Sequence, residues 1–213
     1  MDKQRMEIKV CGMREQANCQ QLAVEVVPDW MGFIFYPKSP RFVREEESNW
    51  LRTIPLKKVG VVVGEQQSMM LQRISTFGLS ALQLHGGESL EVVKNLKAAT
   101  EVQIWKVISV AENLNWKSME AFVPHVDRFL FDTASSSKGG SGKQFDWSLL
   151  EDYPFDKGFM LSGGLTAVHA LAIRELAGRI PQLLGVDLNS GFELAPGQKD
   201  VTALQEFKQE LTK

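Results

Sequence analysis

Two side chains in this sequence are suited to chemistry at the end of a strand, the thiol of Cys11 and the carboxyl of Asp132. Cys11 follows EIKV and precedes a glycine, and Asp132 follows RFLF. A residue that ends a strand lies at the rim of a sheet, where a thiol can reach a ligand and a carboxyl can donate or accept a proton. The simpler interpretations are that Cys11 packs as a small hydrophobe and that Asp132 forms an Asx turn or caps a helix.

Arg41 and His85 are further candidates for contact with a ligand. Arg41 belongs to the loop YPKSPRFV, which Pro37 and Pro40 stiffen, and its planar fork suits a carboxylate or a phosphate. The alternative is a solvated basic loop. His85 ends the segment LQLHG, so it could line a pocket or orient a neighbouring side chain, and we favour the second role.

Two loops have the composition of an anion-binding backbone. Gly163 and Gly164 precede a predicted helix, and Asn189, Ser190 and Gly191 follow a predicted strand. Glycines let backbone N–H groups approach an anion closely, and a helix N-terminus adds a favourable dipole. Either loop alone would be interpreted as a turn, because glycine is the usual turn residue. Together, after consecutive strands, they indicate a phosphorylated substrate.

The elements that position these residues are eight short apolar segments that predict strands: IKVCG, WMGFIF, KVGVVV, ALQLHG, IWKVIS, RFLFDT, FMLSG and LLGVDL. Between them, helical patterns cover 15–24, 44–53, 66–77, 89–99, 114–122, 167–176 and 201–211, with a shorter one at 147–152. Eight such units, at a repeat of roughly 25 residues, predict an α/β fold, a single-domain (β/α)8 TIM barrel over residues 1–213. An open doubly wound sheet is the alternative. A barrel places its active site in the loops after the strands, where the candidate residues lie.

Composition excludes several classes of function. The chain has 213 residues, of which 44% are hydrophobic and 23% charged, and its formal net charge is -2. This balance is that of an ordinary globule and gives no electrostatic reason to expect nucleic acid as a partner. No apolar run reaches the ~18 residues of a membrane span, and the first residues lack the apolar core of a signal peptide, so we expect a cytoplasmic protein. Cys11 and Cys19 form neither a CxxC pair nor a metal site, and both should stay reduced.

Six segments, taken in order, resemble one known family: KVCGM, FIFYPKSPRFV, LQLHG, FDTASSSKGGSGKQFDW, SGGL and GVDLNSGFELAPGQKD. The sequence resembles phosphoribosylanthranilate isomerase along the whole chain. The resemblance implies a (β/α)8 barrel that catalyses the Amadori rearrangement of N-(5-phosphoribosyl)anthranilate to 1-(2-carboxyphenylamino)-1-deoxyribulose 5-phosphate, a step of tryptophan biosynthesis. It implies no cofactor and no metal. We expect a monomer or a homodimer.

By this resemblance, Cys11 is the general base, Asp132 is the general acid and Arg41 binds the anthranilate carboxylate. Asp187 matches an acid near the ribose hydroxyls, and the phosphate-binding loops contain Gly163, Gly164, Ser190 and Gly191. The sequence departs from frequent family residues at Arg14, Ser162 and Asn189. The loop after Asp132 is rich in glycine and serine and could close over a ligand.

The implied roles require a thiolate and a carboxylic acid at the start of the reaction. Reference pKa values leave only ~3% of cysteine as thiolate and ~0.1% of aspartate as acid at pH 7. The site must therefore shift these values or work with a small active fraction. Side chains alternate along a strand, so Lys9 should face the barrel interior together with Cys11. We hypothesise that Lys9, with Asp187 as its partner, favours the thiolate. The alternative is that Lys9 only neutralises a buried acid.

Other functions stay open at this point. Another phosphate-binding barrel enzyme is one, although an indole-glycerol-phosphate synthase would need more lysine and glutamate at strand ends, and a pentose-phosphate epimerase would need metal-binding histidines. A non-catalytic sugar-phosphate-binding barrel is another. The sequence also leaves open a side activity on the related aminoaldose of histidine biosynthesis.

Overall fold

The computed structural model describes residues 5–134 and 144–213 of the chain. Eight parallel strands form a closed barrel in which each strand pairs with the next and β8 pairs back with β1. The strands are β1 Glu7–Val10, β2 Trp30–Ile34, β3 Lys57–Val62, β4 Ala81–Leu84, β5 Gln103–Val110, β6 Arg128–Thr133, β7 Phe159–Leu161 and β8 Leu183–Leu188. The predicted TIM barrel is confirmed and the open sheet is wrong, because the ladder from Glu7–Gly185 to Val10–Leu188 joins the first strand to the last.

Helices follow the strands on the outside of the barrel. Those in the described residues are α1 Gln16–Glu25, α2 Ser48–Leu51, α3 Gln67–Phe77, α4 Leu90–Ala99, α5 Trp116–Glu120, α6 Ala170–Arg179 and α7 Val201–Leu211. The N-caps fix where α4 and α7 begin, since the side chains of Ser89 and Asp200 accept hydrogen bonds from the backbone of the first turn.

The predicted helices at 44–53, 114–122, 147–152 and 167–176 differ most from the structure. The last begins as a 3-10 turn at Ala167–His169 and continues as α6 to Arg179. The first begins as a 3-10 turn at Glu45–Glu47 before α2, and the third is a 3-10 turn at Trp147–Leu150. The second is shortened at both ends to α5, and its start is fixed by the Asn115 side chain, which accepts from Ser118 N. These short segments change nothing at the strand ends.

The N-terminal half of the barrel interior is filled by side chains. Trp30 and Trp105 pack edge to face with their ring centroids 4.9 Å apart, and Arg128 lies over Trp105 at 4.5 Å. Glu7 accepts hydrogen bonds from both Trp30 Nε1 and Arg128 Nη1, at 2.6 and 2.8 Å. This end of the barrel is a packed core, as is usual for the fold.

After β8 the chain folds back as a small antiparallel hairpin, β9 Glu193–Ala195 and β10 Gln198–Lys199. The Asn18 side chain on α1 binds both backbone groups of Lys199, accepting from its N at 2.8 Å and donating to its O at 3.0 Å. The hairpin is thereby fixed against the first helix. Within residues 5–134 and 144–213, none of the helices has the length and apolar character needed to cross a membrane.

Candidate active site

The C-terminal end of the barrel contains a cavity of about 290 Å³. Its walls come from the C-terminal ends of the strands and from the loops that follow them. Every site residue predicted from the sequence lies on the wall of this cavity: Cys11, Arg41, His85, Asp132, Gly163, Gly164, Asp187, Asn189, Ser190 and Gly191. The loop expected to close over the ligand falls mostly at 135–143, outside the described residues.

Cys11 directly follows β1 and is almost fully buried, with a relative exposure of 4%. Its backbone N donates to Leu188 O at 2.8 Å, which extends the β1–β8 ladder by one residue. Burial raises the pKa of the Cys11 thiol, and the positive charge of Lys9 opposes that rise only in part. Of the two options that the sequence left open, a lowered thiol pKa or a small thiolate fraction, the structure favours the second.

Lys9 lies inside the barrel below Cys11 and is fully buried. Its Nζ donates to Asp187 Oδ1 at 2.8 Å, across the β1–β8 pair in which the two residues are direct neighbours. Burial alone would lower the pKa of Lys9, but the Asp187 carboxylate, together with the negative charge of Cys11 in its thiolate form, outweighs that effect and the pKa is raised. Lys9 therefore places a positive charge directly beneath the thiol.

Asp132 contacts the His85 ring across the mouth of the barrel. His85 Nε2 lies 3.3 Å from Asp132 Oδ2, and Gln83 Nε2 lies 3.3 Å from His85 Nδ1. An amide nitrogen only donates, so Nδ1 is the acceptor and the ring proton is on Nε2, directed at the carboxyl. His85 thus contacts both Gln83 and Asp132 and also lies on the cavity wall, so its role in orienting Asp132 stays a prediction.

Arg41 is held by Glu193, an acid to which the sequence analysis gave no role. Arg41 Nε donates to both carboxylate oxygens of Glu193, at 2.8 and 3.1 Å, and Nη2 donates to Oε2. Glu193 also accepts from Lys199 Nζ at 2.6 Å. Gly12 makes the approach of Arg41 possible, because its φ is +73° and a Cβ there would lie 2.5 Å from Arg41 Cδ.

The two glycine loops lie against each other at the rim. A Cβ on Gly191 would lie 2.0 Å from Leu165 O, so only glycine allows the loop after β8 to pack on the loop after β7. Gly163 and Gly164 have φ of +92° and +66°, a conformation that favours glycine. Backbone from two strand ends is thus brought together beside the cavity, as anion binding requires.

Gln83, Glu193 and Lys199 are among the residues in or next to the site that were not predicted from the sequence. The signal for Gln83 was present, because the alternation that directed Lys9 inward also directs Gln83 inward with His85. Glu193 and Lys199 lie in the GFELAPGQKD segment, but Glu193 contacts Arg41 from 152 positions away, and Lys199 contacts Glu193 through the β9–β10 hairpin. Arg14, one of the departures from the family, donates to Pro40 O at 3.0 Å and supports the Arg41 loop.

Comparison with known proteins shows the family to which the chain is similar. The family model described as N-(5'phosphoribosyl)anthranilate (PRA) isomerase matches residues 8–210. The chain is 42% identical over 210 residues to the N-(5'-phosphoribosyl)anthranilate isomerase of Parabacteroides distasonis, covering 97% of this chain and 93% of that protein. It is 41% identical over 208 residues to the enzyme of the same name from Phocaeicola vulgatus, covering 97% and 98%.

Solved structures agree with the sequence comparison. The phosphoribosyl anthranilate isomerase of Thermotoga maritima superposes with a TM-score of 0.81 at 31% identity, covering 97% of this chain and 98% of that one. A phosphoribosyl anthranilate isomerase in complex with reduced 1-(o-carboxyphenylamino)-1-deoxyribulose 5-phosphate superposes with a TM-score of 0.76 at 29% identity, with the same coverage.

Proposed function

The chain belongs to the N-(5'-phosphoribosyl)anthranilate isomerase family, and from this premise we propose that Cys11 and Asp132 are the general base and the general acid of its reaction. It is an isomerase of tryptophan biosynthesis that rearranges the aminoaldose N-(5-phosphoribosyl)anthranilate to the corresponding aminoketose. The observation that supports the assignment most is that the thiol and the carboxyl line one cavity, from strands β1 and β6 that are not neighbours in the barrel.

Asp132 acts first, as the acid that opens the sugar ring. It donates a proton to the furanose oxygen, the bond from that oxygen to C1 breaks, and the nitrogen lone pair forms a protonated Schiff base. The His85 N–H is directed at Oδ2, so the acid form carries its proton on Oδ1, the oxygen left for the substrate. Gln83 keeps His85 in the tautomer that this arrangement needs.

Cys11 acts second, as the base. The positive Schiff-base nitrogen makes the C2 proton acidic, the thiolate removes it, and the electrons of the C–H bond form an enolamine. The enolamine becomes the ketone as C1 gains a proton and the C2 hydroxyl loses one. The cations Lys9 and Lys199 both act to lower the pKa of the thiol against the larger effect of burial, which keeps part of Cys11 as thiolate.

The remaining predicted residues hold the substrate. Arg41 uses one edge of its guanidinium for Glu193, and the other edge, formed by Nη1 and the second N–H of Nη2, can bind the anthranilate carboxylate. The phosphate is bound by backbone N–H groups of the paired glycine loops, Gly163–Gly164 and 189–191. Asp187, already paired with Lys9, contacts the ribose hydroxyls.

We further propose that residues 1–213 act as one catalytic domain in the cytoplasm, as a monomer or a homodimer. The structural relatives include monomers generated from a dimeric enzyme of this name from Thermotoga maritima. Both cysteines are buried and unpaired, in agreement with a reducing compartment. Light scattering of the purified chain would distinguish a monomer from a dimer.

The function is tested by incubating the purified protein with N-(5-phosphoribosyl)anthranilate and following the loss of substrate fluorescence. We expect turnover without added metal or cofactor. A non-catalytic sugar-phosphate-binding barrel would bind the reduced aminoketose phosphate and leave the substrate unchanged. Persistent fluorescence in the presence of folded protein would therefore contradict the proposal.

A further inference from the structure

We propose that Glu193 and Lys199 are positioning residues that make the site selective for a carboxylate on the aromatic amine, because together they fix the direction and the net charge of the Arg41 guanidinium. This inference rests on the proposed role of Arg41. Neither residue is on the cavity wall, so the effect of each on the aromatic carboxylate passes through Arg41. The consequence is a substrate preference that neither the thiol nor the carboxyl of the acid–base pair determines.

Glu193 fixes the direction of the guanidinium. Its carboxylate takes the side edge of Arg41, with Nε at 2.8 Å from Oε1 and Nη2 bonded to Oε2. Oε1 also accepts from Gly197 N at 3.1 Å, so the acid is tied to the turn of the hairpin. The Arg41 and Glu193 side chains are only 12% and 5% exposed. A guanidinium held in this way presents one planar pair of N–H donors to the cavity.

Lys199 sets the net charge of the cluster that it forms with Arg41 and Glu193. Arg41 and Glu193 alone would form a neutral pair, and Lys199, with a fully buried side chain, restores one positive charge through its 2.6 Å contact with Glu193. Its Nζ also donates to Asn189 Oδ1 at 2.8 Å, and Asn18 holds its backbone. The cluster of Arg41, Glu193 and Lys199 is therefore rigid and carries a net charge of about +1 when all three are ionised.

The pair of Arg41 N–H donors, held rigidly in a cluster of net positive charge, can discriminate between ligands that have nearly the same shape. A carboxylate presents two acceptors and a negative charge and can bind both donors. A carboxamide presents one acceptor and an N–H2 group, so it leaves one Arg41 donor facing another donor. Mismatched polar groups in a desolvated site are costly, and the selectivity between the two ligands should therefore be large.

The test compares two ligands that differ in this one group. They are the reduced aminoketose phosphate with an o-carboxyphenyl group and its o-carbamoylphenyl counterpart, and the measurement is the dissociation constant of each by calorimetry. We expect the wild type to bind the carboxylate at least ~10-fold more tightly. Arg41→Ala should reduce that ratio to near one.

The decisive variant is Glu193→Gln/Lys199→Met, which leaves the net charge of the cluster unchanged and removes the ion pairs that hold Arg41. We expect the carboxylate-to-carboxamide ratio to fall roughly tenfold while carboxamide affinity stays within about twofold. Lys199→Met alone, which neutralises the cluster and keeps the Arg41–Glu193 pair, should lower the ratio similarly and serves if the double variant does not fold. Glu65→Gln is the matched control, since it alters a partly buried Arg73–Glu65 pair away from the cavity wall.

The outcomes separate this inference from the role of Arg41. If Arg41→Ala keeps the wild-type ratio, Arg41 does not bind the carboxylate and both proposals fail. If Arg41→Ala removes the ratio but the double variant and Lys199→Met keep it, only the positioning role of Glu193 and Lys199 is wrong. Equal losses for both ligands would also contradict it, because they would show a general structural defect.

Discussion

At the scale of single residues, Cys11 is under two opposing influences. Burial raises the pKa of its thiol, and the positive charges of Lys9 and Lys199 act against that rise. Asp187 adds to the rise through its negative charge. The thiol is thus kept protonated at neutral pH for most of the time, while the cations stabilise the thiolate whenever it forms. The effects of Lys9 and Asp187 on the pKa of Cys11 should therefore be separable by titration of the thiol.

Two substitutions should move the thiol pKa in opposite directions. Lys9→Met removes the nearest positive charge and should raise the pKa of Cys11, whereas Asp187→Asn removes a negative charge and should lower it. The measurement is the pH dependence of iodoacetamide labelling at Cys11, followed by peptide mass spectrometry. Cys19 is an internal control, since burial raises its pKa to about 12. An unchanged Cys11 pKa in folded Lys9→Met would show that the lysine only neutralises Asp187.

The candidate residues on the cavity wall could be predicted from the sequence because each lies at a strand end next to a motif. Lys9 could be predicted as well, from simple alternation with Cys11. Glu193 and Lys199 could not, because their function depends on a hairpin that returns to Arg41 from far along the chain. The direction of the net effect on the Cys11 pKa also required the structure, since it depends on how deeply the thiol is buried.

At the scale of elements, the closure of β1 on β8 is the critical contact. The ladder places Lys9 opposite Asp187, both deep inside the barrel. The strands could be predicted to within a few residues because continuous apolar runs mark them, whereas the helices at 44–53 and 147–152 could not be told from 3-10 turns by periodicity alone. Because the Lys9–Asp187 ion pair is buried where β1 closes on β8, the stability of the barrel should be sensitive to the loss of one partner.

We expect Lys9→Met to lower the free energy of unfolding by about 3–5 kcal/mol, because it leaves Asp187 buried without its counter-charge. Lys9→Met/Asp187→Leu removes both charges and should recover most of that loss. Urea unfolding followed by circular dichroism measures both. A double variant as unstable as the single one would mean that the β1–β8 contact depends on the packing of the lysine stem and not on the charge pair.

At the scale of the whole molecule, the two ends of the barrel have different tasks. The N-terminal half is filled by Trp30, Trp105, Arg128 and their neighbours, while the C-terminal half contains the cavity lined by the candidate site residues. The eight-unit repeat made this division predictable, because barrels of this kind carry their active sites at the C-terminal ends of the strands. How the interior is filled was not predictable, since it depends on which side chains meet across the barrel.

This division predicts a substitution that affects stability without affecting chemistry. Trp105 is fully buried in the N-terminal layer, and Trp105→Ala should lower the free energy of unfolding by about 3–5 kcal/mol through the cavity it leaves. At a temperature where the variant is folded, its kcat should stay within about twofold of wild type, because Trp105 does not line the site. A large drop in kcat of the folded variant would show that the lower layer positions the catalytic residues.

The most direct test of the account is the turnover of Cys11→Ala and Asp132→Asn with N-(5-phosphoribosyl)anthranilate, measured by loss of substrate fluorescence. Both variants should fold and bind the reduced aminoketose phosphate, and each should lose at least ~100-fold in kcat, the loss expected when a general base or a general acid is missing. A folded variant of either kind that keeps near wild-type turnover would contradict the assignment of Cys11 and Asp132 as the acid–base pair.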